Sequence, residues 1–85
     1  MIEFTHSVKD PNGMHARPAG LLVKEASRFS SEIMVYNGEK SASAKKLISL
    51  LSLSVKHGTL IRVTVIGEDE VIAAEAMRVY FRDHI

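Results

Sequence analysis

The sequence predicts a two-layer α+β domain, with helices packed on one face of a mostly antiparallel sheet. Three observations lead there. Strand-like runs with a period of two, or rich in β-branched residues, alternate with segments whose apolar residues recur every three to four positions. Asp-Pro-Asn-Gly, Asn-Gly and lone glycines separate those runs. Hydrophobic residues make up 46% of the 85 positions and charged residues 25%, which suits a globular core and argues against disorder. At this length residues 1–85 form a single domain, because a second core needs roughly 50 residues of its own.

Residues 2–8 alternate, with Ile2, Phe4, His6 and Val8 on one face and Glu3, Thr5 and Ser7 on the other, as in a half-buried strand. Asp10-Pro11-Asn12-Gly13 then marks a loop. Ala19, Leu22, Val23, Ala26 and Phe29 fall at helical spacing, so a helix starts between 16 and 18. Pro18 is tolerated there because first-turn N–H groups lack intrahelical partners. The residue before a proline resists helical angles, so whether Arg17 belongs to the helix or to its entry is left open. Residues 32–36 form a second strand. Asn37-Gly38 predicts a type I′ hairpin that returns along 39–43, a polar edge strand. A second helix runs from about Lys46 with Leu47, Leu50, Leu51 and Leu53 as its apolar set. Residues 60–66 are the strongest strand, and Asp69 caps a last helix that runs through Phe81. The order is β-α-β-β-α-β-α. Strand order within the sheet is left open.

Composition removes several classes of function. Eleven basic and ten acidic residues give a net charge of +1, without the basic excess of a nucleic-acid binder. The absence of cysteine excludes disulfides, thiolate metal sites and a cysteine nucleophile. No apolar run approaches the roughly 18–20 residues that span a membrane, and the N-terminus lacks a signal-peptide pattern, so no membrane insertion and a cytoplasmic location are expected. His6, His57 and His84 are scattered: His6 reads as a packed histidine, His57 as a helix-end cation and His84 as part of a frayed terminus. No metal site is expected from them. The Glu68-Asp69-Glu70 run is explained by capping. No phosphate-binding glycine loop of the nucleotide-hydrolase type is present, so no nucleotide or other cofactor is expected.

One segment is richer than a connection needs: Asn12-Gly13-Met14-His15-Ala16-Arg17-Pro18. It sets a histidine where a loop runs into a helix, with an arginine two residues on. First-turn amides and the helix dipole favour an anion there. Pro18 offers no donor, which leaves the amides of Ala16 and Arg17, and the Arg17 guanidinium adds a fork suited to phosphate oxygens. The dipole also disfavours an imidazolium, and a neutral imidazole is the form that attacks a phosphoryl donor. A histidine exposed beside a helix cap, with no chemistry, is the plainer alternative.

Gly13-Met14-His15-Ala16-Arg17-Pro18-Ala19 closely resembles the active-site segment of HPr, the histidine phosphocarrier of the bacterial phosphoenolpyruvate-dependent sugar phosphotransferase system. Asn37-Gly38, Ser52-Leu53 and Gly58 extend the likeness along the chain. The resemblance implies an open-faced β-sandwich, a four-stranded antiparallel sheet covered on one face by three helices. It implies that His15 takes a phosphoryl group on Nδ1 from phosphorylated enzyme I and passes it to a histidine of a sugar-specific A domain, and that Arg17 supports the transfer. Asn12 resembles the small polar residue that orders the loop, and Leu47, Ile48 and Leu51 resemble the apolar patch that docks both partners. Leu51 is also read as core if only one face of its helix is buried. A carrier of this kind is not an enzyme with its own small-molecule substrate. A monomer is expected.

Two positions depart from the family pattern. Lys46 stands where many members have a regulatory serine, so it has no hydroxyl to phosphorylate, and Ser54 stands where a glycine is usual. A paralogous carrier of a nitrogen-related or regulatory relay is one alternative. A small α+β module that binds without covalent chemistry is another; His15 paired with Arg17 argues against it.

Overall fold

Seven elements form in the expected order in the computed structural model, which describes all 85 residues: β1 (Ile2–Ser7), α1 (Ala16–Ala26), β2 (Glu32–Asn37), β3 (Lys40–Ser43), α2 (Leu47–Ser52), β4 (Leu60–Ile66) and α3 (Glu70–His84). The four strands make one antiparallel sheet in the order β1-β4-β2-β3, with Phe4 opposite Val63 and Val63 opposite Val35. The last strand in sequence therefore lies between the first and the second. Its composition suits that place. Ile61, Val63 and Val65 face the core, and even Thr64 on the opposite face is buried between Glu3 and Met34. A central strand is flanked on both edges, so it needs the most apolar sequence. The polar strand β3 lies at the edge, as expected.

One face of the sheet packs under the helices. Ile33, Val35, Ile61, Val63 and Val65 meet Leu22, Leu50, Leu53, Met77 and Phe81 in a single cluster of buried side chains. Each such aliphatic or aromatic side chain contributes about 1.5–3 kcal/mol by leaving water. The other face carries Glu3, Thr5, Tyr36 and Arg62, with the Arg62 guanidinium 4.2 Å from the centre of the Tyr36 ring. The sandwich is thus open on that side.

Three local expectations are corrected, and the place of Arg17, left open above, is settled. Asn37 pairs with Lys40, so the two turn residues are Gly38 and Glu39, one position later than expected. Only Gly38 has positive φ (+62°), whereas a type I′ turn needs it at both central residues. Asn37 instead donates its side-chain Nδ2–H to the Leu53 carbonyl (2.9 Å), closing the end of α2. Arg17 is inside α1 despite the proline that follows it, because the first-turn packing of buried Pro18 and Ala19 fixes the backbone. Asp69 does not cap α3 with its side chain. Its carboxylate reaches across to accept the Ser30 and Ser31 amides (3.0 Å each) and the Ser31 hydroxyl. Finally, the C-terminus is not frayed: α3 runs to His84, and Ile85 is 2% exposed.

Candidate functional site

The loop before α1 is closed by its own backbone and one side chain. The Asp10 carboxylate accepts the Asn12 amide (2.8 Å) through Oδ1, and the Asp10 carbonyl accepts the Gly13 amide (2.9 Å). These bonds form an Asx-type turn, favoured because a short carboxylate mimics a backbone carbonyl. The turn is held through the backbone of Asn12, whose side chain is exposed. Gly13 has φ +67°, and a Cβ there would meet the Val55 carbonyl oxygen at 2.2 Å. Glycine is required twice over, by conformation and by contact. The next residue, Met14, is buried and donates its amide to that same carbonyl (3.0 Å).

This path delivers His15 to the N-cap of α1 with extended backbone (φ −98°, ψ −176°) and no side-chain capping bond. Its carbonyl accepts the Ala19 amide (3.0 Å), while the ring is left to face outward. Ala16 and Arg17 open the helix, so their amides have no intrahelical acceptor. No acidic residue occupies the first turn. Arg17 is exposed and makes no ion pair. His15 Nε2 lies 3.4 Å from Asp10 Oδ2, an ion-pair distance longer than a good hydrogen bond.

An open cavity of about 390 Å³ brings His15 and Arg17 together with Asp10, Pro18, Leu21, Tyr80 and His84. Four of these were not legible as site residues. Asp10 left one local signal, an Asp two residues before Asn in a turn. Leu21 is 47% exposed on α1. Tyr80 and His84 come from α3, far away in sequence. Tyr80 donates its hydroxyl to the Pro18 carbonyl (2.9 Å), and burial together with the Glu25 carboxylate pushes that phenol above its ordinary value.

On α2, Ile48 is 77% exposed and Leu47 37%, whereas Leu51 is half-buried against the core. Lys46 is exposed at the N-cap of α2. Ser54 has φ +54° and is the single non-glycine residue in the left-handed region. That geometry explains why glycine suits this position: the residue after a helix end adopts it without a Cβ clash. His6 takes no part in the cavity. Its ring lies 5.5 Å from that of Phe81, and burial holds its basicity below the ordinary imidazole range. His57 is exposed in the turn before β4 and lies five residues beyond the end of α2, not at a helix end. No three histidine, aspartate or glutamate side chains gather as a metal site, and no helix is long and apolar enough to cross a membrane.

Comparison with known proteins agrees with this geometry. Residues 2–83 match the family model described as "PTS HPr component phosphorylation site". The chain is 53% identical over 64 residues to the phosphocarrier protein HPr of Haemophilus influenzae, covering 75% of each protein. It superposes with a TM-score of 0.93 on the histidine-containing phosphocarrier protein of a Mycoplasma, at 35% identity and covering 96% of this chain and 93% of that one. A TM-score of 0.79, again at 35% identity, relates it to the Bacillus subtilis protein Crh, solved as an intertwined dimer with a swapped domain. That match covers 100% of this chain and 98% of Crh. A sheet, a loop and a helix N-terminus of this shape, matched over nearly the whole chain, place the protein in the HPr family of phosphocarrier proteins.

Proposed function

We propose that the chain carries a phosphoryl group on Nδ1 of His15. The donor is phosphorylated enzyme I of the sugar phosphotransferase system, and the recipient is a histidine of a sugar-specific A domain. The observation that carries this reading is the orientation of His15 at the open end of α1, with Nε2 toward Asp10. A carboxylate on that side favours Nε2 as the protonated nitrogen and leaves the lone pair on Nδ1. In the transfer an Nδ1–P bond forms as the donor's N–P bond breaks. The electron pair returns to the donor ring, and the Nε2 proton stays in place. The amides of Ala16 and Arg17, the helix dipole and the Arg17 guanidinium then stabilise the added charge.

Docking falls to the exposed apolar surface of α2. Leu47 and Ile48 provide exposed apolar contact area on α2, and Leu51 packs beneath them against the core. A small apolar patch with a charged rim suits a partner that must bind and leave quickly. The working form is taken to be a monomer. Lys46 offers no hydroxyl, so control through a phosphoserine at that position is not part of the proposal.

The test is to incubate the protein with phosphoenolpyruvate and enzyme I and weigh it intact. A single acid-labile phosphoryl group, absent from His15→Ala, is the expected result. An adduct that persists in His15→Ala would place the acceptor elsewhere. Labelling by an enzyme I homologue of a nitrogen-related relay, and by no sugar-system enzyme I, would move the protein to that relay. No adduct with either enzyme would leave a non-covalent binding module.

A further inference from the structure

The C-terminal turn of α3 is tied into the site at three points. The Ile85 carbonyl accepts the amides of Lys9 (2.7 Å) and Asp10 (2.9 Å), at the start of the loop that ends in His15. Tyr80 donates to Pro18 in the first turn of α1. One helical turn further on, the His84 ring lies 4.8 Å from the Tyr80 ring and is tilted to it by 33°. The pair is i, i+4 on one face, where helical side chains meet. His84 is thus held by the same frame that holds His15, and it lines the same cavity as His15, Arg17 and Asp10. The site contains a second imidazole.

We propose that His84 is a proton-dependent electrostatic partner of the phosphoryl group on His15, adding a positive side chain beside Arg17 when its ring is protonated and removing it when neutral. This rests on His15 being the phosphoryl acceptor. Arg17 is charged at every physiological pH, whereas histidine is the side chain whose charge changes there. A phosphoryl group brings close to two negative charges, the largest change of charge the cavity can undergo.

The other charged groups facing His84 leave that change as the dominant variable. From α1, Arg28 is paired with Glu25 at 3.0 Å, and from α3 itself Arg82 is paired with Asp83 at 2.9 Å. Lys9 and Asp10 face it from the loop, with Asp10 already shared with His15, and Lys24 faces it from α1. None of these is gained or lost when His15 is modified.

Coupling between a proton on His84 and a phosphoryl group on His15 must be the same from either end. The experiment reads both. First, wild type and His84→Gln are equilibrated with enzyme I and phosphoenolpyruvate from about pH 5.5 to about pH 8, and the phosphorylated fraction is taken by intact mass. The ratio of the two proteins' equilibrium constants cancels the pH dependence of enzyme I. That ratio should favour wild type by about three- to fivefold at the acid end, the size of an exposed ion pair, and approach one at the alkaline end. His84→Lys should keep the acid-end advantage throughout. Second, the ring resonances of His84, followed by NMR, should show protonation at higher pH in the phosphorylated protein than in the unmodified one, by a matching factor.

A ratio that stays flat with pH, or ring titrations that coincide, would overturn the inference even with His15 fully phosphorylated. Failure of wild type to accept any phosphoryl group would overturn the acceptor assignment and the inference with it; the mass measurement shows which has failed.

Discussion

Two helix N-termini in this molecule are built in opposite ways. At α3 the sequence Glu68-Asp69-Glu70 crowds the helix start with carboxylates. The Glu70 carboxylate accepts the Gly67 amide (3.1 Å), and Asp69 ties the end of the α1–β2 connection to this corner through Ser30 and Ser31. Hydrogen bonds from these donors hold both carboxyl groups below the usual carboxylate range. At α1 the first turn has no acid and Arg17 is free, although the N-cap side chain makes no capping bond at either helix. The protein places its own anions in the first turn of one helix and none in the first turn of the other. The comparison teaches that a helix start carrying its own carboxylates serves the fold, whereas one left without them beside a histidine and an arginine suits the transient charge proposed for His15.

The comparison can be broken or sharpened at four positions. The largest effect is expected at Gly13, which aims the loop into α1. Gly13→Ala introduces a Cβ against the Val55 carbonyl at positive φ; a loss of about 2–4 kcal/mol in urea unfolding is expected. Next comes Ala16→Glu, which gives exposed α1 the kind of acid that α3 already has. Thermal stability should hold or rise slightly, by up to about 1 kcal/mol, while phosphoryl acceptance measured by intact mass falls at least about tenfold through like-charge repulsion. Equal acceptance would show that the open terminus is irrelevant to the site.

The third position tests the acidic end. The folded-state value of Asp69 is depressed, so its contribution is complete above the ordinary value near 3.8 and is lost as pH falls through the lower, folded value. Wild type should therefore lose melting temperature on acidification through that window. Asp69→Asn should start lower at neutral pH and show a shallower acid slope. Parallel slopes would mean that the Ser30–Ser31 bonds contribute nothing. The smallest effect belongs to Ser54→Gly, where relief of positive φ should add about 1 kcal/mol to unfolding stability with no change in phosphoryl acceptance.

Much of this was legible from the chain alone because it rests on local rules. Alternation in residues 2–7, the apolar run 60–66 and helical spacing from Ala19 to Ala26 reflect side-chain geometry within one element, and the elements follow them. His15 and Arg17 are also local, two residues apart at one helix start. Tertiary contact overrode the local rules elsewhere. Arg17 became helical ahead of a proline because Pro18 and Ala19 are buried, and Asp69 turned from its own helix because Ser30 and Ser31 present three donors to it. The hairpin shifted by one residue because the cross-strand register, with Val35 opposite Ala42, puts apolar side chains on the core face.

By itself, then, the sequence determined the class of fold, the order of elements and the chemical identity of the helix-start histidine, since each depends on residues within one or two turns of each other. Only the tertiary structure decided that β4 sits between β1 and β2, that Asp10 faces His15, and that Tyr80 and His84 close one wall of the site. Those depend on which distant surfaces bury the most apolar area together and leave the fewest polar groups unpaired. That balance is struck over the whole chain, and no single stretch of residues encodes it.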